Sequence, residues 1–129
     1  MNLLFEAPEL PADAWVLVAD PSTELDLDRW LADRLDLAGG SVRRISMRAH
    51  ETAHGWPLEL ATYEADGTLL VIAMYRFDDV IAAIAVGGMQ PAWLRAHELE
   101  VAAALRAVEV DWIADEPLTL RELWTDPVT

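Results

Sequence analysis

Apolar and polar residues alternate with a period of two in the middle of the chain, between Trp56 and Gly88. Asp66-Gly67 separates two β-rich runs, and an Asp-Gly pair favours a hairpin turn because glycine accepts a positive φ at no steric cost. Asp78-Asp79 marks a second reversal. The pattern therefore predicts three consecutive antiparallel strands, and the first has Trp56, Leu58, Leu60 and Thr62 on one face.

The second and third of these strands are apolar on both faces. In the second strand, Leu69 and Val71 begin one face, while Leu70, Ile72 and Met74 lie on the other. Two apolar faces usually mean that something covers each of them. We therefore expect this part of the sheet to be covered on both sides.

Two further segments have the spacing of amphipathic helices. Residues 23–38 carry acids in the first turn and end at Gly39-Gly40, as helix dipoles and C-caps favour. The second helix starts at Pro91 and runs to about Val108. With an earlier strand at 15–18, these elements predict an α+β fold in which two helices pack on one face of an antiparallel sheet of four to five strands. Residues 1–129 are expected to form a single domain.

The second apolar face of this sheet needs a cover of its own. A sheet of that size is roughly 20 Å wide, and two helices of about 10 Å diameter cover it only once. The remaining cover is the apolar C-terminal tail (109–129), a second copy in a homodimer, or a partner protein. The predicted partner-binding residues are Trp56, Leu58, Leu60, Leu70, Ile72, Met74, Trp112, Leu120, Leu123 and Trp124.

Charge and composition exclude several classes of function. The chain has 23 Asp and Glu against nine Lys and Arg, for a net charge of −14, which disfavours both nucleic acid and anionic membranes. There is no cysteine, so disulfides and thiolate metal sites are excluded. The N-terminal residues lack the basic segment of a signal peptide, and no apolar run approaches the ~20 residues of a membrane helix. A cytoplasmic location is expected.

One motif in the chain resembles a catalytic one. His50, Glu51 and His54 match H-E-x-x-H, which on a helix directs two imidazoles at one zinc ion and leaves the glutamate to activate water. The residues around it fit either a helix or a strand, because apolar positions alternate from Ile45 to Ala49. Gly55 and Pro57 also stop any helix directly after the second histidine. We expect a strand and loop here, no metal, no cofactor and no enzymatic activity.

Several soft motifs together resemble a known family. A strand ends in Asp-Pro, T-x-x-G-x-P-x-x-L (Thr52, Gly55, Pro57, Leu60) leads into the hairpin, and Y-R-F follows at 75–77. This order resembles the PsbP/DcrB-like fold, and within it the small Eag-type chaperones of type VI secretion effectors. The resemblance implies an antiparallel sheet backed by helices, no catalytic residues, and binding of hydrophobic effector helices, often by dimers.

The expected function is therefore non-catalytic protein binding. The first hypothesis is a secretion-effector chaperone or adaptor that shields an apolar segment of its partner. The second is an acidic immunity protein that neutralises a toxin, since a strongly acidic domain suits a basic partner. A small zinc metallopeptidase using His50, Glu51 and His54 is the remaining alternative.

Overall fold

The computed structural model describes residues 2–22, 29–30 and 42–111, and these form an α+β fold. Seven strands and one bounded helix lie within the described ranges. In chain order they are β1 (Asn2–Leu4), β2 (Trp15–Ser22), β3 (Val42–Glu51), β4 (Pro57–Ala65), β5 (Thr68–Phe77), β6 (Val80–Met89), α1 (Pro91–Arg106) and β7 (Glu109–Asp111).

Five of the strands form one antiparallel sheet in the order β2-β6-β5-β4-β3, and β1 pairs with β7 separately. The two predicted turns are confirmed. Asp66 and Gly67 have positive φ between β4 and β5, and Asp78 has positive φ between β5 and β6. Local turn chemistry thus places three strands side by side, with β2 and β3 at the two edges of the sheet.

The ambiguous segment before the first hairpin is a strand, because β3 pairs with β4 from Val42↔Ala65 to Glu51↔Pro57. One predicted boundary was wrong: the strand expected at 15–18 is β2, which continues through Asp20-Pro21 to Ser22 with an irregularity after Ala19. This extension depends on pairing with β6, which local turn signals do not report.

The sheet has a face toward α1, which we call the helix face, and an opposite face. α1 packs on the helix face through Leu94, Val101 and Leu105. Beneath them lies the larger core cluster, formed by Leu58, Val71, Ala73, Tyr75, Phe77, Ala82, Ile84, Val86, Met89 and Val108. On the opposite face the cluster consists of Ala19, Ala61, Tyr63, Ala65, Leu70, Ile72, Ala83 and Ala85, with Trp15, Leu17 and Trp30 packed against it.

The prediction of two helices on one face needs correction. Within the described ranges one helix, α1, is bounded at both ends, and most of the predicted first helix (23–38) lies outside those ranges. Its two described residues, Arg29 and Trp30, are helical, and Trp30 packs on the face opposite α1. An amphipathic stripe shows that a segment is buried but not against which side of a sheet, so the sequence could not assign this face.

The centre of the opposite face is covered by the chain itself. Leu70 and Ile72 are each only 1% exposed in the single chain. The expectation that this face depends on a second copy or a partner therefore does not apply to its centre. The tail beyond Asp111, the third option for this cover, lies outside the described residues.

Candidate functional site

α1 contacts β5 and β6 and leaves the helix-face side of β3 and β4 less covered. A 16-residue helix is about 10 Å wide, whereas five strands span about 19 Å, so one helix covers about half of the sheet. The uncovered half borders β3, whose side chains from Arg43 to Ala49 are all exposed. An open surface therefore lies between the helix and this edge strand.

A groove of about 180 Å³ occupies this position, and we call it the α1–β3 groove. Strands and helix contribute apolar side chains to its base and polar ones to its margins. The apolar lining consists of Leu60, Val71, Leu94, Leu99, Val101 and Ala102, and the polar lining consists of Ser46, Arg48, His50, Thr62 and Glu98.

Leu99 is the most exposed large apolar residue of the described chain. It is 85% exposed although it lines the α1–β3 groove, and it lies outside the buried stripe of α1. A single exposed leucine is ordinary, but one beside an apolar groove enlarges a continuous apolar surface. Burying such a side chain against a partner would contribute about 1.5–3 kcal/mol.

The polar margin of the groove carries both signs of charge. Arg48 and His50 lie on β3, and Glu98 lies across the groove on α1. Arg48 forms no ion pair with any described residue, whereas Arg43 on the same strand contacts Glu64 with 2.6 Å between Nη2 and Oε1. The groove thus combines an apolar base with an exposed guanidinium at its rim.

Hydrogen bonds join the turn between β3 and β4 to the C-terminal end of α1. Thr52 is buried, and its Oγ1 accepts hydrogen bonds from the backbone N–H groups of Trp56 (3.0 Å) and His54 (3.3 Å). The Ala53 N–H donates to the Arg106 carbonyl, and the Arg106 Nε–H donates to the Glu51 carbonyl. These bonds hold the β3–β4 turn against the C-terminal end of α1.

The Y-R-F segment belongs to the core below the helix. The buried Tyr75 hydroxyl donates to the Leu105 carbonyl oxygen at 2.7 Å. Burial raises the pKa of this hydroxyl well above its ordinary value. The Tyr75 ring stacks on Phe77, which in turn meets Trp56 edge to face, so this motif serves packing between β5 and α1.

The H-E-x-x-H motif does not form the helical arrangement that zinc chemistry requires. His50 and Glu51 are the last two residues of β3, so their side chains leave on opposite faces of the sheet. His54 lies in the following turn, with its Nε2 3.8 Å from Glu109 Oε2. Among the described residues, no group of three or more His, Asp or Glu side chains is arranged to hold a metal ion.

The predicted partner-binding residues that the structure describes do not form one surface. Leu58, Leu70 and Ile72 are buried in the protein's own core, which accounts for their apolar character without a partner. Trp56, Leu60 and Met74 are half-buried, and of these only Leu60 lines the α1–β3 groove. Trp112, Leu120, Leu123 and Trp124 lie outside the described residues.

Sequence reasoning missed two residues of the groove, Leu99 and Arg48. Leu99 interrupts the run Glu98–Glu100 on the polar side of the helix, and an apolar residue there is a signal that the sequence did contain. Arg48 carried no such signal. Its place at the groove depends on the pairing of β3 with β4.

The described part of the chain contains no helix that is both long enough and apolar enough to span a lipid bilayer.

Comparisons with known proteins give the class of fold. No known protein family matches the sequence, and no curated protein is significantly similar to it. Six solved chains resemble the fold, and two of them show how close the likeness is. The solution structure of the cyanobacterial PsbP protein (CyanoP) from Synechocystis sp. PCC 6803 aligns with a TM-score of 0.55 at 8% identity, over 76% of this chain and 66% of that one.

The second is the crystal structure of PA94 from Pseudomonas aeruginosa, a protein of unknown function. It aligns with a TM-score of 0.52 at 16% identity, over 85% of this chain and 82% of that one. At these identities the likeness shows the fold alone. The chain therefore has a PsbP-like α+β fold, and its function has to be argued from its own surface.

Proposed function

We propose that this protein is a non-catalytic binding module that shields an apolar segment of a partner protein in the α1–β3 groove. The observation that carries the proposal is the apolar base of this groove, left open beside an edge strand. Leu99 adds an exposed apolar side chain at its margin. A chaperone or adaptor needs side chains that bind an apolar segment without reacting with it.

Within this class, we propose a chaperone of the Eag type that receives a type VI secretion effector in the cytoplasm. The PsbP-like fold supports this finer assignment, together with the sequence motifs that resemble the Eag-type proteins. The partner would then carry a hydrophobic helix that must be kept from water before export.

The test is affinity purification of the tagged protein from its native host, with identification of what copurifies. Leu99→Glu is the groove variant, because it places a charge on the apolar margin without disturbing a buried position. Ala102→Arg, which fills the groove from α1, is the second variant. Leu4→Glu is the control, since Leu4 is an exposed leucine on β1 that lies outside this groove and lines a separate cavity beside α1.

We expect one partner with a hydrophobic segment to bind the wild type and Leu4→Glu, and to be lost from Leu99→Glu and Ala102→Arg. Loss of one buried leucine contact should weaken binding by about tenfold or more. Thermal unfolding of each variant confirms that it is folded. A partner that binds both groove variants as tightly as the wild type would contradict the proposal.

The net charge of −14 favours a second function, an immunity protein for a basic toxin. The same purification would establish that function instead if it recovers a basic toxin whose activity this protein inhibits. Binding of that toxin should survive Leu99→Glu and weaken steeply with salt. We rank the immunity function second because β3, at one edge of the described sheet, carries three arginines, which would repel a basic toxin.

A further inference from the structure

β3 forms one edge of the five-stranded sheet, and no other described strand pairs with its outer side. Its pairing with β4 shifts between Arg44 and Ser46 and is then regular from Ser46 to Glu51. The outward N–H and C=O groups of such a strand can pair with an additional strand from another chain. The regular stretch is long enough for the short segments that bind in this way.

The charge of this edge is opposite to that of the molecule. β3 has three arginines and one acid in ten residues, while the whole chain has nine basic residues against 23 acidic ones. Arg43 is already engaged by Glu64. Arg44 and Arg48 are exposed and form no ion pair with any described residue, so they present positive charge to solvent.

The two sides of the regular stretch differ in chemistry. Ser46, Arg48 and His50 lie opposite Thr62, Leu60 and Leu58, so they are on the helix face. Met47 and Ala49 point to the opposite face, where Met47 is exposed; Arg44, opposite Tyr63, is on that face too, just before the regular stretch. A strand added at this edge would therefore meet polar, basic neighbours on one side and apolar neighbours on the other.

We propose that β3 binds an extended acidic segment of a partner protein as an added strand. The segment alternates Asp or Glu with apolar residues. Its carboxylates lie beside Arg48 on the helix face, and its apolar side chains lie beside Met47 and Ala49. The site is the outer edge of the sheet; it shares Arg48 with the rim of the α1–β3 groove but uses the outward backbone groups of β3, and the inference therefore goes beyond the shielding of an apolar segment.

A second copy of the chain is a poorer occupant of this edge. Pairing β3 with β3 of another copy would bring three arginines from each chain into one ten-residue ladder. Like charges in opposed positions destabilise such a ladder. The arginines thus oppose self-association, as charged edge residues do, and at the same time they select an acidic strand.

The test uses a fluorescently labelled peptide of about ten residues that alternates glutamate and valine, titrated against the full chain by fluorescence anisotropy. Its matched control replaces every glutamate with lysine. The protein variants are Arg44→Glu combined with Arg48→Glu, and Arg95→Glu as the control, because Arg95 is an exposed arginine on α1. Two further peptides carry backbone N-methyl groups on one or the other alternate set of residues.

We expect the glutamate–valine peptide to bind the wild type and Arg95→Glu, and to bind the Arg44/Arg48 variant about tenfold more weakly or worse. N-methylation should abolish binding for one alternate set and spare the other, since only every second residue of an added strand faces its neighbour. Leu99→Ala, which removes the exposed leucine of the groove without adding a charge near the shared Arg48, should bind the peptide normally and so separates this site from the groove.

Three results would overturn the inference. The first is equal binding of the glutamate and lysine peptides. The second is equal tolerance of both N-methylated peptides, which would mean charge attraction without strand pairing. The third is that the glutamate–valine peptide does not bind the full chain. This result counts against the inference whether sedimentation shows a dimer paired through β3 or a monomer.

Discussion

The same residue type has opposite roles at two positions of this chain. Leu58 is 2% exposed in the core beneath α1, whereas Leu99 on α1 is almost fully exposed at the groove. Both are leucines in amphipathic elements, and the strand pattern alone marked Leu58 as a binding residue. Burial by the rest of the chain, which a single residue does not report, decides between the two roles.

Leu58→Asp should therefore prevent cooperative folding, whereas Leu99→Asp should leave the free energy of unfolding within about 0.5 kcal/mol of the wild type. The aspartate at 58 would bury an unpaired carboxylate, which costs several kcal/mol, while the one at 99 stays in water. Urea unfolding followed by circular dichroism measures both. A folded, cooperative Leu58→Asp protein would show that this position is not core.

Tyr75 allows a prediction about alkaline stability. Its buried hydroxyl has a raised pKa in the folded state, whereas an unfolded tyrosine ionises near pH 10. The contribution of Tyr75 to the free energy of unfolding is therefore fully present below about pH 10, and it declines as the pH rises further. The chain has no lysine, so lysine titration does not obscure this range.

Tyr75→Phe should lower the free energy of unfolding by about 1–2 kcal/mol at pH 8, because the Leu105 carbonyl loses its donor. The difference between variant and wild type should shrink at pH 10.5, where the wild type alone loses the tyrosine contribution. Urea unfolding at the two pH values measures this. A difference that stays constant or grows would contradict the account of Tyr75.

At the scale of single elements, the sequence predicted the hairpin turns directly and favoured a strand for the edge segment, although its pattern also allowed a helix. Asp66-Gly67 forms its turn because these residue types favour a positive φ, and this preference can be read directly from the sequence. The segment before Thr52 fits a helix and a strand equally well, and only pairing with β4 makes it β3. The groove was not predictable, because its position depends on where α1 crosses the sheet.

The β3–β4 turn depends on one hydroxyl. Thr52→Val keeps the shape of the side chain but removes the acceptor for the Trp56 and His54 N–H groups, and it should lower the free energy of unfolding by about 1–3 kcal/mol. Thr52→Ser is the control and should lose less, because it keeps the acceptor. Thermal or urea unfolding ranks the three proteins, and equal losses for valine and serine would show that the hydroxyl is not used.

The position of H-E-x-x-H at the end of β3 leads to a prediction about metal. Because His50 lies on β3 and His54 in the following turn, and not one helical turn apart, zinc should bind at no defined stoichiometry. Addition of chelator to untagged protein should leave the unfolding midpoint unchanged. Stoichiometric zinc that is lost on His50→Ala, with a matching fall of the midpoint, would contradict this arrangement.

At the scale of the molecule, the chain forms a sheet with apolar clusters on both faces, but the described residues cover these faces unevenly. The centre of each face is buried within the chain, and the α1–β3 groove leaves an open apolar surface on the β3 side of α1. The sequence correctly predicted the α+β class, the antiparallel sheet and its doubly apolar strands. It placed the binding surface on the sheet itself because it could not show that the chain covers Leu70 and Ile72.

The central claim is that the α1–β3 groove holds an apolar segment of a partner, and site-specific photo-crosslinking in the native host tests it most directly. A photoreactive phenylalanine analogue replaces Leu99 at the groove or, as the control, Leu4 on β1; both positions are exposed. We expect position 99 alone to crosslink to one partner protein, and mass spectrometry to place the crosslink within a hydrophobic segment of that partner. Crosslinking of the same partner from position 4 only, or from position 99 to a polar segment, would contradict the account.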